Sequence, residues 1–600
     1  MKKLLYIILA VLLLASPAFG ATYYVDKTTG SDSDSGLTEA LAWETTAKVN
    51  DFAEATGFSD GDIIQFKRGE TWTSDEPIGW DGAAIVWGTI NGLTIQDYGE
   101  GALPRLDSNT QQAIFISSDS VSNLTIKNID VSGMDWTTQG NWVSDYNIRI
   151  HNVDGVTIDG VYCDGHTGAA SYAYHEGCIG LTSIDGNIEV KNCTIQNMYK
   201  DTFSNTRTAW TSNDSHGLLL WYEKSGVGKE SGTVSIHDND INHVYGDCIQ
   251  LGGIRTTTNI YDNDFTYFGE QALDAKSGRY HNIYRNNVSA KAWGNSAGSA
   301  YYGATAFTGQ PAADWNLISP QDYNYHDNYI YDTQIGFITS GTGHKIHHNY
   351  FYDIGCMGEF KHNDWEIYNN LLYLTKTIVT DDATQPVMAS WAYWSAMTVM
   401  ENVSNLRIYN NSIYISSANH QQGIFWNGSV GDSGNYVKNN IIQMTRDNAS
   451  VYPVYIVDSY KPTIDYNIYH GVHSNRVYYN GTTYDDTEQA GWRTASSGDH
   501  ELFDNPDFTT PGSDFTLQLG SPCIDVGATL GSDYDDGWNP TTSLPPVTVT
   551  TIDQDLRGSG WEIGAYVYDS DARSALTITP DAGGALTITP DAGGAITITY

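Results

Sequence analysis

The stretch "YHDNYIYDTQIGFITSGTGHKIHHNYFYDIGCMGEFKHNDWEIYNNLLYL", residues 325–374, says one thing three times. YHDNYI (325–330), IHHNYF (346–351) and IYNNLL (367–372) share a frame: an apolar residue, two variable positions, asparagine, one variable position, an apolar residue. The asparagines Asn328, Asn349 and Asn370 stand 21 residues apart. That period is too short for a domain and suits one coil of a stacked β-structure.

Reading outward in both directions, the frame recurs. Upstream it runs IKNIDV (126–131), IDGVYC (158–163), VKNCTI (190–195), IHDNDI (236–241), IYDNDF (260–265) and IYRNNV (283–288). Downstream it continues as IYNNSI (408–413), VKNNII (437–442) and IDYNIY (464–469). Its fourth position is Ile129, Val161 and Cys193 in the first three copies. From there on it is always asparagine, from Asn239 and Asn263 to Asn440 and Asn467. Asparagine tolerates the left-handed backbone that a tight corner needs, and its amide can bond the amide one coil on. Parallel strands would then stack about 4.8 Å apart with alternate side chains inward. The expectation is an all-β chain: a right-handed parallel β-helix with an asparagine ladder.

The chain ends extend this reading. TYYVDKTTGSDSDSGLTEALAW (22–43), GDIIQFKRGETW (61–72), FTLQLGSPCIDVGA (515–528) and RGSGWEIGAYVY (557–568) resemble the opening and closing segments of exported bacterial β-helix proteins of the pectate-lyase-like superfamily. That group comprises polysaccharide lyases, hydrolases and epimerases, so the resemblance implies the fold and a polysaccharide partner, and leaves the reaction open. The expected organisation is a signal peptide over 1–20, an N-terminal cap and first coils over 21–115, and the β-helix core over 116–475. C-terminal coils and a cap follow over 476–570, then a tail of ten-residue repeats over 571–600.

Residues 1–20, MKKLLYIILAVLLLASPAFG, have the basic start, short apolar run and small-residue end of a bacterial-type export signal. A secreted, periplasmic or cell-surface location is expected, without membrane insertion, because no later run is apolar enough to cross a bilayer. Thirty basic against 71 acidic residues leave a net charge of −41, which repels nucleic acid and anionic membranes. A monomer is expected. The acid excess suits calcium, a hard cation with oxygen ligands. Cys163, Cys193, Cys248 and Cys356 fall among apolar neighbours, where buried thiols are at least as plausible as bridges. His347, His348 and His362 read as turn residues rather than metal ligands.

Candidate chemistry lies on the third strand of each coil. HGLLLWY (216–222), GDCIQLGG (246–253), GEQALDAKSG (269–278), YGATAFTG (302–309) and MGEFKHND (357–364) can be aligned with aliphatic residues inward. The outward pairs become Leu219/Trp221, Gln250/Gly252, Asp274/Lys276, Thr305/Phe307 and Glu359/Lys361. In this alignment Trp221 is an aromatic floor, Gly252 a bare-backbone gap and Lys276 a cation. With Gln250 and His216 they would line a sugar groove. Asp247, Glu270 and Asp274 form an acidic set for Ca2+.

Calcium on those acids would bind a uronate carboxylate and acidify the C5 proton, which a neutral Lys276 could remove, giving β-elimination. Alternatively, two carboxylates hydrolyse a glycoside as acid and base. DAKSGRYHNIYRNN (274–287) is also similar to the lysine-bearing strand of chondroitinase-B-like and alginate lyases. That resemblance implies Lys276 as base and Glu270 or Asp274 as a calcium ligand. It departs in the acid-to-lysine spacing and in the absence of an arginine from SAGSAYYGATAF (296–307). The rival reading is a non-catalytic surface or adhesion scaffold, in which Asp274 and Lys276 are a solvated ion pair. Glu359-Phe360-Lys361 repeats that pattern and favours it.

Overall fold

The structure is a computed structural model. It describes residues 20–568 except 74–77, 80–88, 108–111, 133–144, 166–174, 199–213, 223–227, 245, 291–304, 312–318, 376–394, 401, 419, 429–431 and 546–547, and also 578–580 and 586–588. The expected signal peptide and most of the repeat tail lie outside the described residues. The chain divides into two compact units, residues 1–259 and 260–600.

Each unit is a right-handed parallel β-helix of three sheets. In the first unit, one sheet runs from Thr22–Val25 through Ile63–Lys67, Thr94–Tyr98, Val121–Lys127, Asp154–Asp159 and Asp185–Lys191 to Val234–His237. The second holds Tyr162–Asp164, Thr194–Met198 and Asp240–Val244. The third runs from Ile114–Ser117 through Asp145–His151, His175–Thr182 and Asp214–Trp221 to Asp247–Gly252. In the second unit the corresponding sheets run from His281–Tyr284 to Thr463–Asp465, from Asp264–Phe268 to Ile468–Gly471, and from Gln271–Lys276 to Asn475–Tyr479. The hairpin strand Thr482–Asp485 closes the third sheet in antiparallel fashion.

The corner between the first and second sheets explains the repeat. Its third position is left-handed in every copy: Asn128, Gly160, Asn192, Asp238, Asp262, Arg285, Asp327, His348, Asn369, Asn410, Asn439 and Tyr466, with φ between 50° and 68°. The left-handed residue is therefore the one before the ladder asparagine, which corrects the expectation that the asparagine itself turns the corner. After that turn the fourth side chain points inward. Ile129, Val161 and Cys193 fill the core there, and the asparagines that replace them are all buried.

A buried amide has to find partners, because leaving one unsatisfied costs roughly 1–3 kcal/mol. In the second unit each finds them on the next coil. Asn263 Nδ2 donates to Asn286 Oδ1 at 2.9 Å, Asn286 to Asn328 at 3.0 Å, Asn328 to Asn349 at 2.9 Å and Asn349 to Asn370 at 3.0 Å. The chain continues through Asn411, Asn440 and Asn467. Each Oδ1 also accepts the backbone N–H of the preceding asparagine, as Asn349 Oδ1 does from Asn328 at 3.1 Å. In the first unit Asn239 plays the same part, accepting from Cys193 N–H at 3.0 Å.

The ladder ends on a carboxylate. Asn467 donates both its backbone N–H (3.0 Å) and its Nδ2 (2.9 Å) to Glu501 Oε1. The other oxygen, Oε2, accepts from Trp492 Nε1 at 3.1 Å. Trp492 belongs to the helix Gln489–Ser496, which lies beyond the last coils and buries Trp492 and Ser496. From there the chain turns back along the second sheet: Phe508, Phe515, Leu517, Trp538 and Ile563 cover Tyr350, Leu371, Ile441 and Ile468. At the start of the first unit the helix Thr46–Ala55 buries Val49, Asn50 and Ala53. Its Thr45 side chain accepts from Lys48 N–H as the N-cap. The first coils of the first unit and the last coils of the second are thus each capped.

Cys163 is bonded to Cys178, whereas Cys193, Cys248, Cys356 and Cys523 are buried free thiols. The thiol reading holds for three of the four cysteines singled out in the sequence and fails for Cys163. Its partner, Cys178, lies on a third-sheet strand that the repeat pattern does not mark. No helix among the described residues is long and apolar enough to cross a membrane.

Two outcomes follow. Asn349→Ala strips Asn328 N–H and Nδ2 of their acceptor in a site closed to water. It should cost roughly 3 kcal/mol in urea denaturation, and a loss under about 1 kcal/mol would show that the ladder is dispensable. The second concerns pH. Burial pushes Glu501 up to about 7 and Glu562 up to about 8, against an ordinary 4.5. An acid raised on folding stabilises fully below its unfolded value, and that stability is lost as pH rises through its folded value. Melting temperature should therefore fall between pH 5 and 8, and Glu501→Gln should flatten the lower part of that slope.

Candidate functional site

The outer face of the third sheet carries the predicted residues. In the first unit the strands Asp214–Trp221 and Asp247–Gly252 pair His216 with Asp247, Leu219 with Gln250 and Trp221 with Gly252, the register expected from sequence. Their setting differs from a wet groove. His216 is fully buried, with Nδ1 3.3 Å from Tyr146 Oη and Nε2 3.9 Å from Asp247 Oδ2. Asp247 and Gln250 are buried too, and Gln250 Nε2 donates to Asp247 Oδ2 at 3.1 Å. Gly252 is not a bare gap: a Cβ there would sit 2.2 Å from Cε3 of the Trp221 indole. The glycine makes room for Trp221, which lies across it, so the predicted floor and the predicted gap are one packed contact.

In the second unit Asp274 and Lys276 sit two apart on the strand Gln271–Lys276, both on its outer face. Lys276 Nζ lies 3.0 Å from Asp274 Oδ2, and Thr308 Oγ1 donates to Asp274 Oδ1 at 2.8 Å. The pair is not solvated on both sides, because Asp274 is 7% exposed. The register across this strand is Gln271–Thr305, Leu273–Phe307 and Asp274–Thr308. The sequence alignment had placed Thr305 and Phe307 outward beside Asp274 and Lys276. The structure shifts that strand by three residues, an odd number that turns Phe307 into the core and brings Thr308 to the carboxylate.

From Asp274 the outer row climbs in register. Thr308 pairs with Ile338, and the Phe337–Gly358 pairing places Glu359 next. Glu359 pairs with Thr398, Thr398 with Phe425, Phe425 with Tyr455, and Tyr455 with Tyr478. Thr308, Ile338, Glu359 and Thr398 are all under a tenth exposed. Two carboxylates, two hydroxyls and an aliphatic side chain therefore lie on an outer face that is shielded from water. Burial raises the Glu359 carboxyl, with Lys361 opposing that shift. Beyond them the rings of Phe425 and Tyr455 stack 5.6 Å apart, and those of Tyr455 and Tyr478 4.3 Å apart.

Asp274 and Glu359 are three strand spacings apart, about 14 Å. That exceeds the 5–9.5 Å or so that separates the two carboxyl groups of a glycosidase. Glu270, a predicted calcium ligand, stands four residues before Asp274, about 13 Å along an extended chain. Asp247 belongs to the first unit. With both Asp274 oxygens already engaged, these acids make no ready calcium cage. Among the described residues, Asp535, Asp553 and Asp555 do bring ligand atoms within 4.8 Å of one another, in the C-terminal cap.

The histidines near the corner are stacking residues. Tyr261, Tyr284, His326, His347 and Tyr368 form a column with centroids 4.7–5.0 Å apart. His347 Nε2 bonds Asn324 Oδ1, and His348 Nε2 donates to the Asp536 carbonyl at 2.7 Å, tying the cap to the coils.

No family model matches the chain, and no curated protein matches it. Among solved structures it is similar to a GH136 lacto-N-biosidase from Eubacterium ramulus, with 13% identity, 69% of this chain and 67% of that one covered, and a TM-score of 0.40. It is also similar to a PL6 alginate lyase in complex with a trisaccharide (12% identity, 85% and 93% covered, TM-score 0.37). A third is PfbA, a surface adhesin of Streptococcus pneumoniae (10% identity, 72% and 86% covered, TM-score 0.33).

Gly252→Ala should displace the Trp221 indole and cost roughly 1–3 kcal/mol. In a double-mutant cycle with Trp221→Ala, monitored by denaturation, that penalty should largely vanish. A penalty that persists would place the strain in the backbone instead.

Proposed function

We propose that the protein acts on a uronate-bearing polysaccharide laid along the third sheet of its second unit, cleaving it by β-elimination at the Asp274–Lys276 pair. The observation that carries this reading is the burial of Asp274 within that pair, beside a part-exposed Lys276. A surface ion pair gains little and stays wet. Here a carboxylate 7% exposed is held by a threonine hydroxyl and an ammonium on an outward face. Withdrawing a charge from water is costly unless it is paired and hydrogen-bonded, and a charge so held at an outward position is a candidate for function.

Paired with Asp274 at 3.0 Å, Lys276 presents an ammonium that can recognise a carboxylate. A bound uronate carboxylate would meet that ammonium and offset the repulsion expected from a net charge of −41. Thr308 fixes the Asp274 rotamer and hence the position of Nζ. In the elimination Lys276, its own proton passed to Asp274, would take the C5 proton; the C4–O4 bond would break as the C4=C5 double bond forms, and the regained ammonium would protonate the departing O4. A calcium ion beside Asp274 would supply further neutralisation of the uronate.

The scaffold reading is favoured by one specific observation, the direct 3.0 Å ion pair itself, which is a complete structural explanation of both residues. Absorbance of unsaturated product, followed on a panel of uronic-acid polysaccharides with calcium and then with chelator, separates the two. Wild type should generate product and Lys276→Ala should lose at least a hundredfold in rate. Product formation untouched by the substitution would remove Lys276 from the reaction. Absence of product on every uronan would favour the scaffold.

A further inference from the structure

The acid–x–lysine pattern occurs twice on the third sheet of the second unit, and the two copies are in register. Asp274 pairs with Thr308 and Thr308 with Ile338, and the Phe337–Gly358 pairing continues that row to Glu359. The row two residues on carries Lys276, Gln310, Ser340 and Lys361 by the same pairings. Acid thus follows acid and lysine follows lysine, three strand steps or about 14 Å apart. Residues two apart on a strand share a face, so both lysines lie on the outer side of the sheet. The two coils between them carry no charge at these positions: Thr308 and Gln310 on one, Ile338 and Ser340 on the other.

The two lysines are held differently. Lys276 is part-exposed and ion-paired to Asp274 at 3.0 Å. Lys361 is exposed, and no ion pair reaches it among the described residues. In a chain with 30 basic and 71 acidic residues, an exposed ammonium left out of any ion pair is open to an anion from outside. One strand step is close to the length of one 1,4-linked pyranose residue, so a glycan laid along the sheet passes about one sugar over each coil. A uronate at Lys276 is then followed, at Lys361, by the sugar three residues on. Three is odd. In a glycan that alternates uronate with a neutral sugar, that residue is neutral; in a run of consecutive uronates it is a uronate. The uncharged coils in between fit a chain whose twist turns the two intervening carboxylates away from the sheet and brings the third back to it.

We propose that Lys361 is a second carboxylate-binding residue, three coils from Lys276, and that the two lysines together select runs of consecutive uronates over glycans in which uronate and neutral sugars alternate. The proposal rests on the polysaccharide reading above and deepens it by naming the spacing of charge along the substrate. Lys361 binds and positions the chain, and the bond is cleaved at Lys276. An exposed ion contact is worth little on its own and is screened by salt, so the contribution of Lys361 is modest and salt-sensitive.

Homo-oligo-uronates of two to six residues, and a hexasaccharide alternating uronate with N-acetylhexosamine, test this. Affinity is taken from calorimetry, or from KM where unsaturated product forms. Wild type is compared with Lys361→Ala, Lys361→Arg and Lys276→Ala, each checked for an unchanged melting curve. Spanning both lysines takes four residues, so wild-type affinity should rise about three- to fivefold between trimer and tetramer. Lys361→Ala should abolish that step, Lys361→Arg should restore it, and high salt should erase it. The alternating hexasaccharide should bind Lys361→Ala as it binds wild type. If the step survives Lys361→Ala, or the alternating hexasaccharide loses as much as the homo-hexamer, the proposal is overturned; product formation that still depends on Lys276 then leaves the elimination reading standing. A step that depends on Lys361, with no product from any oligomer, supports the proposal and removes the elimination. Failure of every uronate to bind overturns both.

Discussion

A buried amide cannot be left alone, and in the second unit that single constraint sets the register of every coil. Each ladder asparagine spends its Nδ2 and Oδ1 on the neighbouring coils, so a slip of one residue would strand two donors and an acceptor where water cannot reach. Apolar side chains would tolerate such a slip far better, since a β-sheet interior accepts many packings of similar volume. The ladder thus converts a stack that is merely sticky into one that is in register. It also has to stop, and Glu501 stops it by accepting what Asn467 would otherwise give to a further asparagine. The cost is a carboxyl held in a closed site, visible as its value of about 7.

That same ladder explains which parts of the structure could be read from the sequence. The asparagine column was legible because it is a property of one position repeated every coil. The left-handed corner was not, because its occupants include Arg285, His348 and Tyr466, which have no local preference for that conformation. There the tertiary frame imposes the turn and the residue follows. The third-sheet register was legible where Trp221 needed Gly252 and was misread by three residues at Thr305–Gly309, where Thr305, Phe307 and Thr308 offer no clear inside and outside. A period-two pattern without a charged or glycine marker fixes the strand but not its facing. The corrected facing matters chemically, since it is Thr308 rather than Thr305 that holds Asp274.

The candidate site was legible only as composition. An acid and a lysine two apart on a strand are equally compatible with a wet ion pair and with a reaction centre, and sequence carries no information on burial at an outward position. Nor could it reveal Glu359 as anything but a second copy of the same pattern. The two copies differ in what surrounds them. Asp274 is satisfied by Lys276 and Thr308, whereas Glu359 has its lysine two positions on but no bond to it, and a threonine neighbour that is itself unsatisfied.

That contrast has a physical consequence for what one face can present. A carboxylate paired with an ammonium presents a fixed dipole and responds to charge. A carboxyl raised by burial and left unpaired presents hydrogen-bonding capacity and resists charge. Placing both on one straight row, at intervals set by strand spacing rather than by loop conformation, separates the two carboxylates by a distance the ladder holds constant. A globular pocket would need two loops to keep that spacing. In a solenoid it is a count of coils, and the asparagines that lock the coils also lock the spacing.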